Sequence, residues 1–270
     1  MSAMIAPLLV LSALTGCAGG SATLQTRAAP ASPGSAALTV VTQQLEDALL
    51  DDDGTPLVEY SYEIPVRQPD GGSAPGQERA RELAEAFNAE FSGWTDNADA
   101  MVQDAREDRS FRDETGLDFF PYSVGLRCSV YQIGQLVSVS GVYSTWSGGA
   151  HPNTVLLSWN FDLETGTFFD PALLDGETGF RDAVTGELKR QARERAAQAD
   201  GLFWEDYEAT LENWSSYAVS FGQSGMSVGF SPYELAAYAA GPQIFEIPYT
   251  TLAPHLGQHA RELLGMTNPS

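Results

Sequence analysis

The fold is decided by the stretch Tyr143-Ser-Thr-Trp-Ser-Gly-Gly-Ala-His-Pro-Asn-Thr154. It places a glycine-rich turn and one histidine between two strand-like runs, and the segment Asn160-Phe-Asp-Leu-Glu-Thr-Gly-Thr167 follows with a second turn. Strand-like runs joined by such turns are typical of an antiparallel hairpin. The stretch therefore predicts a sheet meander, and not a strict alternation of strands and helices.

Apolar periodicity extends this prediction along the rest of the chain. Strands are predicted over residues 38–50, 57–66, 120–130, 136–143, 154–161, 217–221, 226–230 and 244–247. Helices are predicted over residues 77–94, with continuation through 97–109, around 180–192, and over 251–264. The run from Phe120 to Val130 alternates strictly, so Cys128 within it is predicted to be a small buried side chain. Strands and helices in separate runs indicate an α+β fold, with an antiparallel meander, packed helices and two lobes.

The N-terminus is predicted to be an export signal. The apolar run from Ile5 to Leu14 is too short to span a membrane, and no Lys or Arg precedes it. Leu14-Thr-Gly-Cys17 resembles a bacterial lipobox, which predicts a lipoprotein signal peptide over residues 1–17 with lipid on Cys17. A plain secretory cleavage near Ala18 is the alternative. We therefore expect an extracytoplasmic protein that is lipid-anchored to a bacterial membrane.

Three segments are expected after the signal. Residues 18–36 are rich in Ala, Ser, Gly, Thr and Pro, which is typical of a flexible tether. Residues 37–116 are assigned to an N-terminal strand-and-helix lobe and residues 117–266 to a C-terminal lobe. After cleavage Cys128 would be the sole cysteine, which excludes an internal disulfide and a cysteine metal cluster.

Charge limits the class of partner. The formal net charge is −22 and the isoelectric point is near 4.2. Such a surface repels phosphate backbones, so no nucleic-acid partner is expected, whereas cationic partners are favoured. Solubility alone is the alternative explanation of the charge.

His151 is the first candidate for chemistry, as a base, a metal ligand or a pH-sensitive contact. No Gly-x-Ser-x-Gly elbow surrounds a nearby serine, so a nucleophile is poorly supported. The favoured interpretation is structural: Gly148 and Gly149 permit a special backbone, Pro152 stiffens the exit, and His151 holds the hairpin by a hydrogen bond. A partner contact is the second interpretation. Catalysis by His151 with Asp162 or Tyr143 is the third.

Two further patterns raise the question of metal. His255 and His259 are spaced to share a face of the predicted terminal helix, but no third ligand is assigned. The turn Asp51-Asp-Asp-Gly54 lacks the spaced oxygens and closing Glu of a calcium loop. Neither pattern predicts a metal site, and no cofactor is expected.

A second signature lies in Phe230-Ser-Pro-Tyr-Glu-Leu-Ala-Ala-Tyr-Ala-Ala-Gly-Pro-Gln-Ile-Phe-Glu-Ile-Pro-Tyr249. Its aromatic residues Tyr233, Tyr238, Phe245 and Tyr249 stand among prolines and a glycine. Aromatics on such a frame form a sugar platform or a protein hot spot, or they cap a core. The core is the favoured interpretation.

Together the two signatures resemble one extracytoplasmic domain family. Its members include the lysozyme-sensing ectodomain of the anti-sigma-V factor of bacilli, the non-catalytic region of certain peptidoglycan deacetylases, and a mycobacterial secreted antigen. The resemblance covers residues 119–264 and implies that the two signatures share one surface. It also implies recognition of a cationic muramidase such as lysozyme, or of peptidoglycan. The sequence shows no second apolar stretch of spanning length and no deacetylase metal motif, so the recognition module alone is expected.

The sequence thus predicts a non-catalytic envelope lipoprotein that binds a wall-related ligand. An envelope hydrolase using His151 and a purely structural lipoprotein are the alternatives. No catalytic residue is assigned. The predicted ligand-binding or partner-binding residues are Tyr143, Trp146, Gly148, Gly149, His151, Asn153, Tyr233 and Tyr238.

Overall fold

The chain begins its fold with two long strands and three helices. A computed structural model describes residues 40–68, 77–175, 179–199 and 201–266. The predicted signal peptide, Cys17 and the tether lie outside these residues. The first elements are β1 (Val40–Leu50), β2 (Pro56–Arg67), α1 (Gln77–Glu90), α2 (Asp96–Asp99) and α3 (Val102–Thr115).

Six strands form the main sheet in sequence order. The remaining four strands are β3 (Tyr122–Ile133), β4 (Leu136–Trp146), β5 (Asn153–Asp162) and β6 (Thr167–Phe168). All neighbours are antiparallel except β2 and β3, which pair in parallel from Val58 with Tyr122 to Tyr62 with Leu126. A parallel pair needs a long crossover, and α1 to α3 supply it.

A smaller antiparallel sheet and four helices make the second part. They are α4 (Phe180–Gln198), α5 (Tyr207–Glu212), β7 (Ala218–Phe221), β8 (Gly225–Phe230), β9 (Gln243–Pro248), α6 (Tyr249–Leu252) and α7 (Gln258–Leu263). Short 3₁₀ turns lie at Pro171–Asp175, Trp214–Ser216, Tyr238–Ala240 and Ala253–His255.

Two hydrophobic cores underlie this arrangement. One packs the helix-covered face of the main sheet around Tyr62, Phe87 and Phe161. The other packs α4 against the small sheet around Leu188 and Phe245. The predicted helical face of Phe180, Val184, Leu188 and Ala192 is fully buried there, as its four-residue spacing requires. The predicted α+β class with a meander and two lobes is confirmed.

Buried polar side chains join the two sheets. Asn160 donates from Nδ2 to the Val219 carbonyl at 2.8 Å and accepts from the Ser138 hydroxyl at 2.8 Å. The same Ser138 hydroxyl accepts the Phe221 amide at 2.8 Å, and the Ser158 hydroxyl accepts the Val219 amide at 2.8 Å. These bonds use the backbone groups of β7 that no strand pairs, so the main sheet closes that edge.

The opposite edge of the small sheet is closed by α4. Arg195 donates to the Ile244 carbonyl at 2.6 Å, and Gln191 donates to the Glu246 carbonyl at 2.8 Å. The Arg195 guanidinium also lies 4.1 Å from the centroid of the Phe245 ring. Both edges of the small sheet therefore have partners other than strands.

The predicted helices differ from the structure at their breaks. The first helix ends at Glu90, and Gly93, with φ of 81°, turns the chain before the short α2. Trp94 consequently lies in a turn, and the predicted helical character through 97–109 is present as two helices, α2 and α3. The predicted terminal helix over 251–264 is broken around Pro254 and Gly257 into α6, a 3₁₀ turn and α7.

The alternating strand also begins later than predicted. Phe120 is 60% exposed and precedes β3, because Pro121 cannot donate to a sheet ladder. Cys128 is half-buried and not buried as predicted, because pairing of β2 with β3 ends at Leu126. The division into lobes at residue 116 stays a prediction, and the main sheet draws strands from both sides of it.

Candidate functional site

The hairpin between β4 and β5 is closed by contacts within its own loop. The indole Nε1 of Trp146 donates to the Gly149 carbonyl at 2.7 Å. Gly148 has φ of 83°, the left-handed region that favours glycine. The turn therefore needs a glycine at position 148 for its backbone conformation, and the Trp146 indole holds the Gly149 carbonyl in place.

Helix α3 supports this loop from the side. A Cβ added at Gly148 would lie 3.3 Å from an Arg112 nitrogen and 3.6 Å from an Asp108 oxygen. Arg112 and Asp108 form an ion pair at 2.8 Å on α3. Gly148 thus lies against this ion pair, and a larger residue would press on it.

His151 and Tyr238 bring the two sequence signatures together. Their rings stack with centroids 3.7 Å apart and planes 18° apart. The Tyr238 hydroxyl donates to the Pro152 carbonyl at 2.9 Å, and His151 Nδ1 lies 3.1 Å from the same oxygen. A carbonyl only accepts, so Nδ1 is the donor in this contact. The expected hydrogen bond from His151 within the hairpin is present.

Tyr233 completes an exposed aromatic cluster. Its ring centroid lies 5.6 Å from that of Tyr238 and 6.5 Å from that of His151, and the residue is 57% exposed. Its φ is 73°, a left-handed conformation that is costly for a bulky residue. We call His151, Tyr233 and Tyr238 the aromatic cluster.

Trp204 is a neighbour of the cluster that sequence patterns do not identify. Its indole nitrogen donates to the Tyr233 carbonyl at 3.1 Å, and its amide donates to the Leu235 carbonyl at 3.1 Å. It is 42% exposed. An isolated tryptophan carries no periodic signal, so only its contacts reveal that it holds the backbone of Tyr233.

The second signature divides between core and surface. Phe245 is buried, and Tyr249 is half-buried with its hydroxyl 2.9 Å from the Gly222 carbonyl. Burial raises the pKa of Tyr249 well above its ordinary value. The favoured core interpretation holds for Phe245 and is wrong for Tyr233, because the left-handed backbone turns Tyr233 outward.

Three further predicted site residues are not part of the aromatic cluster. Tyr143 is half-buried on the helix-covered face, with its ring centroid 5.5 Å from that of Trp94, and burial raises its pKa. Strand alternation places Trp146 on the other face. Asn153 is exposed and opens β5 opposite Thr145. Tyr143 is therefore a packing residue, whereas Trp146 and Asn153 border the hairpin loop.

The residues of the alternative hydrolase are not assembled. Asp162 ends β5, whereas His151 precedes its start, so about 30 Å of strand separates them. Asp162 is buried and caps its own turn, accepting the Glu164 amide at 2.8 Å and the Thr165 hydroxyl at 3.0 Å. Neither Asp162 nor Tyr143 orients His151.

The acidic turn at Asp51 and the two C-terminal histidines do not come together with other metal-binding side chains in the described residues. Asp51 accepts from Arg106 at 3.0 Å and from Arg109 at 2.6 Å, and Asp53 also pairs with Arg109. The acidic turn is thus tied to α3. His255 and His259 lie on different helical segments. Among the residues described, no group of three or more His, Cys, Asp or Glu side chains is placed to hold a metal ion. In the same residues, no helix is both long and apolar enough to cross a membrane.

Comparisons with known proteins match the two halves of this architecture. Residues 53–154 match the family model described as "Deacetylase PdaC", and residues 167–250 match the model described as "Protein of unknown function (DUF3298)". The first segment supplies most of the core under the main sheet, and the second supplies most of the core under the small sheet. A search of curated proteins gives no significant match.

One solved structure supports the same assignment of fold, and a second is similar at a lower score. A member of the DUF3298 family from Bacteroides fragilis is 15% identical, with a TM-score of 0.64 over 87% of this chain and 98% of its own. A DUF3298 family protein from Pseudomonas aeruginosa is 17% identical, with a TM-score of 0.46 over 82% and 96%. This chain thus carries a PdaC-like segment followed by a DUF3298-like segment, on the fold of the Bacteroides structure.

Proposed function

We propose that this chain is a non-catalytic binding module of the bacterial cell envelope, attached to a membrane through lipid on Cys17. The proposed ligand is wall-related: a cationic muramidase such as lysozyme, or peptidoglycan itself. The observation that carries the proposal is the exposed aromatic cluster, in which His151 of the hairpin stacks on Tyr238 of the second signature. Two distant segments build one surface there.

The chemistry of the cluster suits recognition. Aromatic rings offer large apolar faces with polar edges, which is why Tyr and Trp dominate protein hot spots. The left-handed backbone of Tyr233 costs free energy, and such strain concentrates at functional sites. Because Trp204 and Pro152 hold the surrounding backbone, little ordering would remain to be done upon binding.

The open face of the main sheet adds negative charge beside the hairpin. A cavity of about 600 Å³ there is lined by Glu46, Glu59, Ser123 and Ser144, among others. Ser123 is the strand partner of Trp146, so this cavity adjoins the hairpin end. Together with the net charge of −22, these carboxylates favour a cationic partner and would accelerate its association.

The geometry of His151 supports recognition and not hydrolysis. Its Nδ1 is engaged by the Pro152 carbonyl, its ring is stacked on Tyr238, and Asp162 lies at the far end of β5. A histidine base needs an orienting acid and a nucleophile within hydrogen-bond reach.

Calorimetry with lysozyme, with cytochrome c as an unrelated basic protein, and pull-down with purified sacculi test the proposal. Specific binding to lysozyme or sacculi, without turnover of ester, peptide or glycan substrates, is expected. Equal and wholly salt-sensitive binding to both basic proteins would reduce the interaction to nonspecific electrostatics. Turnover that disappears in His151→Ala while the fold persists would overturn the non-catalytic assignment.

A further inference from the structure

A cleft lies between the main sheet and the small sheet, and no residue of the aromatic cluster lines it. Its volume is about 480 Å³, and its walls come from β2 to β5 on one side and from β7 to β9 on the other. Small-molecule sites commonly have volumes of about 300–1,000 Å³ and occur where two structural units meet. The cleft is therefore of a size to hold a short peptide.

Three charged side chains line the cleft: Glu63 and Arg127 from the main sheet, and Glu246 from the small sheet. The chain has 36 acidic residues and 14 Lys and Arg. Within the described part of the chain, Arg127 makes no ion pair, whereas six other arginines each pair with a carboxylate. A guanidinium held unpaired at a cleft in so acidic a protein suits an anionic group from outside.

Both carboxylates of the cleft are held in place by protein donors. The Ser227 hydroxyl donates to Glu246 at 2.6 Å, and the Cys128 amide donates to Glu63 at 3.3 Å. An ionised carboxylate accepts about four hydrogen bonds, so each retains acceptor positions for a ligand. Orientation before binding lowers the entropy that binding must overcome.

We infer that this cleft binds a short peptide bearing one free carboxylate and two ammonium groups. The carboxylate pairs with Arg127, and the ammonium groups pair with Glu63 and Glu246. A simple anion would face two carboxylates, a simple cation would face Arg127, and an apolar ligand would cover all three charges and pair with none of them. The site shares no residue with the aromatic cluster, so the inference stands apart from the proposed function.

The dipeptide Lys-Ala is the matching probe, because it carries two ammonium groups and one carboxylate. Its binding to the full chain is measured by calorimetry beside the C-terminal amide and the Nα,Nε-diacetyl form. Removal of the carboxylate, or of both positive charges, is expected to weaken binding at least about tenfold, as for the loss of a charge-assisted hydrogen bond. Lys-D-Ala, with the D-residue found in wall peptides, distinguishes a wall source from a protein source.

Single substitutions test which side chain of the cleft pairs with which charged group of the probe. Arg127→Gln is expected to abolish the preference for the free acid over the amide, and Glu246→Gln to reduce the preference for the unacetylated probe. Arg81→Gln is the matched control, since Arg81 is an exposed arginine on α1 outside the cleft. Arg127 is exposed enough for its replacement to leave the fold intact, which circular dichroism checks.

Equal binding of acid and amide by the wild type would overturn the inference, as would a preference for the acid that persists in Arg127→Gln. Absence of binding up to millimolar probe would overturn it as well. Lysozyme and sacculus binding are measured on the same preparations. Failure at the cleft is then distinguishable from failure of the aromatic cluster.

Discussion

The ring of His151 lies parallel to that of Tyr238, with centroids 3.7 Å apart, and both side chains meet the carbonyl oxygen of Pro152. One carbonyl thus joins the hairpin to the second signature. The aromatic surface keeps its shape only while both segments are folded against each other. A single substitution in either segment should therefore disturb the aromatic cluster.

Truncation of Trp146 or Tyr238 to alanine is expected to weaken lysozyme binding by about 2 kcal/mol, about thirtyfold in affinity. Trp146 closes the loop through Gly149, and Tyr238 supplies the stacked ring. Calorimetry at several salt concentrations measures the effect, since screening shortens to about 8 Å near physiological ionic strength. Leu173→Ala is the control, because Leu173 is 75% exposed and lies outside the cluster. A loss in Leu173→Ala equal to that in Tyr238→Ala would argue against a localised site.

Replacement of Cys17 by alanine is expected to release or mislocalise the protein. Wild-type protein should partition into detergent and carry a lipid mass on Cys17, as the Leu14-Thr-Gly-Cys17 motif predicts. Mass spectrometry of the mature N-terminus provides the measurement. A mature chain that begins elsewhere and carries no lipid would contradict the anchor.

Asn160→Ala should destabilise the fold by about 2 kcal/mol or more. The substitution removes the Asn160 side-chain amide, so the buried Val219 carbonyl and Ser138 hydroxyl each lose a hydrogen bond. Urea unfolding followed by fluorescence measures the change. Ser140→Ala, at an exposed serine on β4, should stay within about 0.5 kcal/mol of wild type. Equal losses of stability in the two variants would contradict a specific contribution of the Asn160 hydrogen bonds.

Low pH should weaken the ion pairs that connect the β1–β2 turn to α3. The Asp52 amide and then Arg106 hold the pKa of Asp51 below its ordinary value, and Arg109 chiefly does the same for Asp53. Since these folded-state pKa values are depressed, the stabilisation is full above the unfolded carboxyl pKa of about 3.9 and is lost as pH falls towards the folded values.

The double variant Asp51→Asn/Asp53→Asn should therefore lose less stability than wild type between about pH 5 and pH 2. Thermal unfolding across that range measures the slope. Asp52→Asn is the control, because the Asp52 carboxylate makes no ion pair within the described residues. Parallel slopes for wild type and the double variant would contradict the assignment.

Cys128 should react slowly in the native state. Burial, and secondarily Glu63, raises the pKa of its thiol to about 12, whereas an ordinary thiol titrates near about 8.5. Because the thiolate is the nucleophile, alkylation by iodoacetamide at about pH 8 should be at least about tenfold slower than in urea. The Cys17→Ala background leaves Cys128 as the single thiol. Equal rates in the two states would contradict the effect of burial.

Local patterns predicted much of the fold. The hairpin between β4 and β5 and the buried face of α4 follow from period-two and period-four spacing, which the structure reproduces. The parallel pairing of β2 with β3 could not be predicted, because strand runs carry no information about their partners. The helix break at Gly93 and the strand start at Tyr122 depend on single residues that interrupt an otherwise continuous pattern.

The candidate site was predictable in part. The turn and the aromatic context identify His151, Trp146 and Tyr238 in the sequence, and the structure places them at one end of the hairpin. The outward position of Tyr233 depends on a left-handed backbone, and the cleft around Arg127 arises only when two sheets meet. Neither property is local in sequence.

The closed edges of the small sheet have a consequence for self-association. An exposed strand edge templates the addition of strands from other molecules and so promotes aggregation. Here Asn160 and two serines occupy the free groups of β7, and Arg195 and Gln191 occupy those of β9. An incoming strand would first have to displace buried hydrogen bonds at β7 and the side chains of α4 at β9. The side chains that cover both edges therefore protect this acidic protein from fibre-like growth through its small sheet.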